Sequence, residues 1–173
     1  MPEKLSMDEL GRMDADAFKA SAKNRVVLVL DNIRSLNNVG SAFRTADAFL
    51  IESIYLCGVT GTPPNKEIEK TALGATSTVS WKHVASTQEA VQELKQKGYY
   101  LAAVEQAKGS TMLHEFKKPD QPIALVFGNE VYGVEQAVID QCDACLEIPQ
   151  YGTKHSLNVS VSMGIVLWEL LRS

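Results

Sequence analysis

The chain has 173 residues, 17 Lys and Arg against 21 Asp and Glu for a formal net charge of −4, and is 45% apolar and 22% charged. That composition belongs to a single globular domain with a real core; it excludes a disordered or collagen-like chain, and a protein that coats nucleic acid by charge alone, but leaves room for a local basic groove. The longest uncharged run, His155 to Trp168, has 14 residues and is too short to span a bilayer; residues 1–23 lack the apolar stretch of a secretory signal, and three cysteines, an odd number, fit a reducing compartment, so no membrane association and a cytoplasmic location are expected.

Residues 1–24 predict an N-terminal helical extension. Leu5, Leu10, Met13 and Phe18 are loosely spaced as a helical stripe, Ser6 can cap it, and Glu9 stands at the capping-box position. Val26 to Asp31 (VVLVLD) is a continuous apolar run, as in a strand buried on both faces. A polar stretch to Gly40 then leads into a helix over Ser41 to Phe49, a strand over Ser53 to Gly58, a Gly- and Pro-marked loop over Thr60 to Asn65, and a short helix over Lys66 to Ala72. Thr78 to Val84 alternates like a strand. Ser86 opens a capping signal for a helix through Lys97 that Gly98 closes. Strands follow over Tyr99 to Glu105 and Ile123 to Gly128, a helix over Val134 to Gln141, a short strand over Ala144 to Ile148, and a final helix over Leu157 to Arg172.

Strands alternating with helices predict an α/β fold with a mostly parallel sheet and helices on both faces. Ligands of such sheets sit beyond the carboxyl ends of the strands, so the polar stretches Asp31 to Gly40, Glu105 to Thr111, Gly128 to Gly133 and Pro149 to Asn158 are expected to supply a site. The last helix is apolar on nearly every face, which places it in the core or against a second copy of the chain.

Several chemistries fail on the residues. No GxGxxG or GxSxG is present, and Gly128 and Gly133 have P-loop spacing but are followed by Val134 and Glu135 instead of Lys and Ser or Thr. Cys142 and Cys145 form a lone CxxC, with His83, His114 and His155 scattered, so no metal site is expected. His155 and Ser156 are adjacent, and adjacent side chains on extended chain point apart, which does not suit a nucleophile and its base.

Three segments remain. In Asn38-Val39-Gly40-Ser41-Ala42-Phe43-Arg44-Thr45-Ala46, Asn and Gly at a strand exit suit a tight turn, and Arg44, four residues past Gly40, is expected on the helix face beneath it. The plainer reading of Arg44 is a surface residue paired with Asp47 or Glu52. In Phe127-Gly128-Asn129-Glu130-Val131-Tyr132-Gly133, two glycines bracket polar residues after a buried strand, allowing close approach of backbone to a flat ligand. From Ile148-Pro149 to Ser156-Leu157-Asn158-Val159-Ser160-Val161, Ser156 or Asn158 can cap the final helix, whose free N–H groups suit an anionic or carbonyl group.

Taken together, in this order and spacing from about Arg25 onward, the three segments resemble the SpoU (TrmH-type) RNA 2′-O-methyltransferases of the SPOUT superfamily. The resemblance implies a methyltransferase domain over residues 25–173 with a C-terminal trefoil knot, a homodimer through the last helix and knot region, and S-adenosylmethionine as cofactor. It makes Arg44 the catalytic residue, as base or as electrostatic stabiliser, with Asn38 orienting it or the ribose. It assigns Gly128, Asn129 and Glu130 to the cofactor pocket, backbone groups of Ile148 and Leu157 to adenine, and Ser156 and Asn158 to the loop near the transferred methyl, with Val104 and Glu105 at the preceding strand end. The family transfers a methyl group to a ribose 2′-OH. Without a separate N-terminal RNA-binding domain the expected substrate is tRNA, the alternatives being rRNA or a non-catalytic RNA-binding dimer.

An RNA substrate needs cations near the site. Arg34, Arg44, Lys66, Lys70 and Lys154, with Lys19, Lys23 and Arg25 as a second cluster, are the expected groove, and Arg34, Arg44 and Lys154 its members nearest the chemistry. Arg34→Glu and Lys154→Glu should each weaken RNA binding and flatten the slope of log affinity against log salt by about one for each phosphate no longer neutralised, measured by fluorescence anisotropy over a salt series.

Overall fold

In the computed structural model, which describes residues 1–172, the VVLVLD run lies in strand β1 (Asn24–Asp31), whose last six residues are all buried. Ser173, the last residue of the expected domain, lies outside the described residues. The other strands are β2 (Ile51–Cys57), β3 (Trp81–Val84), β4 (Tyr100–Val104), β5 (Thr111–Met112), β6 (Ile123–Phe127) and β7 (Ala144–Glu147). They form one sheet in the order β3-β2-β1-β6-β4-β7-β5, and every pairing is parallel. The β1–β6 register runs from Val26 opposite Ile123 to Leu30 opposite Phe127.

The alternation of β1 explains why it reads as apolar throughout. Val26, Leu28 and Leu30 enter one core; Val27 and Val29 enter the other. Helices α1 (Ala15–Ala20), α2 (Leu36–Ala48), α3 (Lys66–Ala72) and α6 (Val159–Leu171) cover the first face, through Phe18, Phe43, Ile68 and Val166 among others. Helices α4 (Thr87–Gln96) and α5 (Gln136–Ile139) cover the second, through Val91, Leu94 and Val138. Among the described residues no helix is long and apolar enough to cross a membrane.

Several boundaries differ from expectation. The N-terminal stripe does not form one helix: a 3-10 turn at Asp8–Leu10 ends at Gly11 in a left-handed conformation, Asp14 caps the separate α1, and only Phe18 of the four stripe residues is buried. The Ser6–Glu9 reciprocal pair does form, with the Ser6 N–H and hydroxyl donating to the Glu9 carboxylate at 2.8 and 2.7 Å. Strand β3 starts only at Trp81, because Thr78 belongs to a turn in which its hydroxyl donates to Asp47 Oδ2 at 2.7 Å and to the Ala75 carbonyl. Two-residue β5, unforeseen, is too short to show any alternation. Helix α5 begins only at Gln136, because Glu135 is its N-cap with non-helical backbone (ψ 139°), and the Val134 N–H before it donates to Glu105 Oε2 at 3.0 Å.

Helix α2 departs most. It begins at Leu36, not Ser41, with Ser35 as N-cap accepting the Asn38 N–H at 3.2 Å. Asn38 and Gly40 are therefore helical, and the reading of them as a strand-exit turn is corrected. Gly40 is there for packing: a Cβ would lie 2.0 Å from Thr71 Oγ1 and 2.2 Å from the Ile68 carbonyl oxygen of α3. Glycine weakens a helix locally, but here it lets two helices close on each other. Gly40→Ala should therefore cost about 1–3 kcal/mol from overpacking, despite the better helix propensity of alanine, seen as a lower urea midpoint at unchanged slope.

Candidate functional site

A cleft of about 950 Å³ opens beyond the carboxyl ends of β4, β6 and β7. Three of the four polar stretches line it. From the end of β4 come Val104, Glu105, Gln106 and Lys108; from the loop after β6, Gly128 to Gly133; from the chain after β7, Ile148, Gln150 and His155 to Asn158. Thus Val104, Glu105, Gly128, Asn129, Glu130, Ile148, Ser156, Leu157 and Asn158, all singled out in the sequence, share one cavity wall.

The loop after β6 is held rigidly. Asn129 and Gly133 exchange backbone hydrogen bonds at 3.1 and 2.9 Å. The Asn129 side-chain oxygen accepts the N–H groups of Val131 and Tyr132 at 2.9 and 3.2 Å, and its amide donates to the Asn32 carbonyl at 2.6 Å. Both bracketing glycines are obligatory. A Cβ on Gly128 would lie 2.2 Å from the Gly133 carbonyl carbon; Gly133 has φ +68°, and a Cβ there would lie 2.1 Å from Glu105 Oε2. The Glu105 carboxylate is itself fixed, accepting the N–H groups of Gln106 and Val134 at 2.8 and 3.0 Å.

Glu130 joins this loop to α2. Its carboxylate accepts the backbone N–H groups of Arg34 and Ser35 at 3.3 and 3.2 Å and the Asn38 amide at 3.3 Å. Burial pushes the Glu130 carboxyl up, but the N–H groups of Glu130 itself, Ser35 and Arg34, with the Asn38 amide, outweigh it and hold the carboxyl below its ordinary value. Asn38 continues the chain of contacts: its side-chain oxygen accepts the Asn158 amide at 3.2 Å. Asn158 in turn caps α6, accepting the N–H groups of Ser160 and Val161 at 2.9 and 3.3 Å. Asn38 does not line the cleft, but touches the two loops that do.

The cations stand elsewhere. Arg44 is exposed on α2 and outside the cleft lining. Six residues past Asn38, it is roughly 120° around the helix and about 9 Å along it, so the expected position beneath the loop is corrected. Nor is it paired with Asp47 or Glu52: Asp47 accepts the Thr78 hydroxyl and Glu52 the Tyr99 hydroxyl. Arg34 and Lys154 are exposed near the cleft without lining it. Two cations of the wider groove are engaged locally: Lys70 pairs with Glu67 at 2.7 Å, and Lys23 donates to the Ser21 carbonyl and lies 4.6 Å from the Phe18 ring centroid.

Some lining residues were not singled out. Gln106 donates to the His155 carbonyl at 2.5 Å and ties the β4 loop to the chain after β7; Lys108 brings an ammonium, and Tyr132 an exposed ring. The Gly128–Gly133 spacing marked Tyr132's segment, and the polar stretch after Glu105 marked Gln106 and Lys108, but nothing in either pattern distinguished these side chains. Cys145 also lines the cleft; burial pushes its thiol up, and that of Cys142 up to about 12, so neither is a ready thiolate. Among the described residues no group of three or more His, Cys, Asp or Glu side chains is placed to hold a metal ion.

Comparison with known proteins gives a family. The model of the SpoU rRNA Methylase family matches residues 25–168. The 23S rRNA (guanosine-2′-O-)-methyltransferase RlmB of Neisseria meningitidis is 32% identical over 157 residues, 91% of this chain and 62% of that protein. Among solved structures, the AdoMet-bound rRNA methyltransferase from Sinorhizobium meliloti superposes with a TM-score of 0.79 at 28% identity, over 90% of this chain and 58% of that one. The A. aeolicus TrmH/SpoU tRNA modifying enzyme superposes with a TM-score of 0.78 at 29% identity, over 90% and 77%. The chain spans 62–65% of the length of the first curated relatives it matches.

The Glu130 contacts make a testable electrostatic demand. A carboxyl held below its ordinary value contributes stability above pH 4.5, and that contribution is lost as pH falls through the depressed folded-state value. Glu130→Gln should be less stable than wild type at pH 7 by about 0.3–1 kcal/mol, the range for an anion at a helix N-terminus, and the gap between the two melting curves should close below pH 4.5.

Proposed function

The chain belongs to the SpoU rRNA Methylase family, and from that premise we propose that it is an S-adenosylmethionine-dependent RNA methyltransferase acting on a ribose 2′-OH, with tRNA as its substrate class. The observation that carries this reading is the convergence of Gly128 to Glu130, Ile148 and Ser156 to Asn158 on one cleft, with Asn38 bonded to both Glu130 and Asn158.

The lining suits such a cofactor. Phe127, Val134, Ile139 and Ile148 offer apolar surface for an adenine ring, backbone groups at Ile148 and Leu157 offer hydrogen bonds to its edge, and Lys108 offers a cation for a carboxylate. When bound, the cofactor supplies an activated methyl group, so no covalent step by the protein is required. The protein's part is alignment and exclusion of water. Gly128 and Gly133 let the backbone close tightly, Glu130 fixes the start of α2, and Asn38 is poised between the two loops to orient a ribose.

Arg44 lies outside its own cleft, so this reading has it supplied in trans, by a second copy of the chain. A guanidinium does not deprotonate readily, and its fork of donors is better suited to holding an RNA phosphate and the developing alkoxide by charge. The outward face of α6 supports a homodimer: Val161, Ile165 and Trp168 recur at i, i+4 and i+7 and are exposed, while Met163, Val166 and Leu167 face the core. The trefoil knot belongs to the same reading. After β7 the chain recrosses the sheet edge, contacting Gln106 through His155 and Asn38 through Asn158 before α6 packs on α2. Residues 25–173 are then the methyltransferase domain and 1–24 an extension. The free thiols at Cys57, Cys142 and Cys145 fit the cytoplasm.

The test is transfer of tritiated methyl from S-adenosylmethionine to bulk tRNA and, in parallel, rRNA. Wild type should label tRNA, and Arg44→Ala should lose about 100-fold or more. A dimer co-assembled from Arg44→Ala and Gly133→Val protomers should regain activity, because one composite site is intact. Labelling of rRNA alone transfers the reading to rRNA. Labelling of neither overturns the enzyme and leaves an RNA-binding dimer.

A further inference from the structure

The cleft mouth carries a feature that methyl-donor binding does not use. Among the described lining residues, three large apolar side chains are exposed: Val131 at 75%, Tyr132 at 82% and Leu157 at 37%. Val131 and Tyr132 form the tip of the loop that Asn129 and Gly133 clamp, with both their N–H groups bound to Asn129 Oδ1. The backbone below them is rigid and the side chains above it are bare. An exposed aromatic ring on a clamped loop is a preformed flat surface with a π-face to offer.

We propose that Tyr132 is the stacking platform for an unpaired RNA base beside the ribose that enters the cleft. This rests on the RNA methyltransferase reading and adds to it a residue that selects substrate. In a continuous A-form helix the 2′-OH lies along the shallow groove, hemmed by its neighbours; to reach a cleft walled by three loops, the nucleotide must leave the stack. The base then needs a replacement surface, and an aromatic ring supplies it for any base, since every base has a π-face. An exposed cation is joined to the same loop. Arg34 is tethered to this loop through its N–H bond to Glu130, and its exposed guanidinium makes no ion pair among the described residues. Glu130 accepts the N–H groups of Arg34 and Ser35 and the Asn38 amide, so its charge is partly offset at the N-terminus of α2. A ring for the base with a guanidinium for the adjoining phosphate is the pairing that single-stranded RNA requires. The apolar stripe of α6 is a separate surface and accounts for a second copy without Tyr132.

The experiment uses the full chain, wild type, Tyr132→Ala and Tyr132→Phe, with a fluorescein-labelled RNA stem–loop of about 17 nucleotides and a blunt RNA duplex as probes. Tyr132→Ala should weaken stem–loop binding by about 5- to 100-fold, Tyr132→Phe by less than about twofold, and neither should change duplex binding. In methyl transfer to bulk tRNA, the alanine variant should raise KM for RNA far more than it lowers kcat, while its affinity for S-adenosylmethionine and its mass in solution match wild type. Unchanged stem–loop affinity overturns the proposal. So does loss of cofactor affinity, which would make Tyr132 a wall of the cofactor pocket, or dissociation to monomers, which would make it an interface residue. If stem–loop binding depends on the ring but wild type methylates no RNA, the stacking role stands and the enzymatic reading fails.

Discussion

One carboxylate fixes the relation between the two halves of the site. Glu130, presented by the loop after β6, takes the backbone N–H groups of Arg34 and of Ser35, the N-cap of α2, and the Asn38 amide. Helix N-termini carry unsatisfied donors and partial positive charge, so an anion placed there satisfies both at once. Because Asn38 also accepts from Asn158, the same contact reaches the cap of α6. Three segments distant in sequence are thereby held to one arrangement, and moving any of them leaves donors unpaired in the other two.

The rest of the cleft is rigid for a related reason. Gly128 and Gly133 sit where no side chain fits, so backbone meets backbone, and the polar groups of the loop are spent on one another, on Glu105, and on the segment from Asn32 to Asn38. What remains free is the inner surface: apolar wall from the strand ends, backbone groups near Ile148 and Leu157, and a lysine at the rim. Such a surface binds and orients, and burial holds its Cys145 thiol away from the reactive thiolate. A reaction whose electrophile comes with the cofactor needs no more than that. Arg44 is exposed and is not part of this wall, and the proposal that a second copy of the chain supplies it rests on that placement.

The N-terminal segment takes a different part from the one its pattern suggested. Leu5, Met7, Leu10 and Met13 remain exposed, and only Phe18 joins the core. A stripe of apolar residues at helical spacing forms a helix when there is a face to receive it, and residues 1–13 have none within this chain.

Local pattern was enough for much of this protein. The double-sided burial of β1 was legible because a strand covered on both faces has no polar alternation, and Ser86 marks α4 because a capping side chain needs only its own next turn. Seven of the nine cleft residues lie in two short motifs, Phe127 to Gly133 and Ile148 to Val161, whereas Val104 and Glu105 lie in no motif and were assigned to the cofactor only from the resemblance. What no local pattern could determine was contact between those motifs. The contact that joins Asn38 to Glu130 spans 92 residues, Glu105 meets Val134 across 29, and Gly40 is explained only by its packing on α3. The exposure of Arg44 outside the cleft is likewise settled by how α2 packs, on α3 and α6 among others, which its own neighbours in sequence do not state. These are matters of which groups meet across the fold. Only the tertiary structure decides them, because a hydrogen bond or a clash exists between two positions and is written in neither alone.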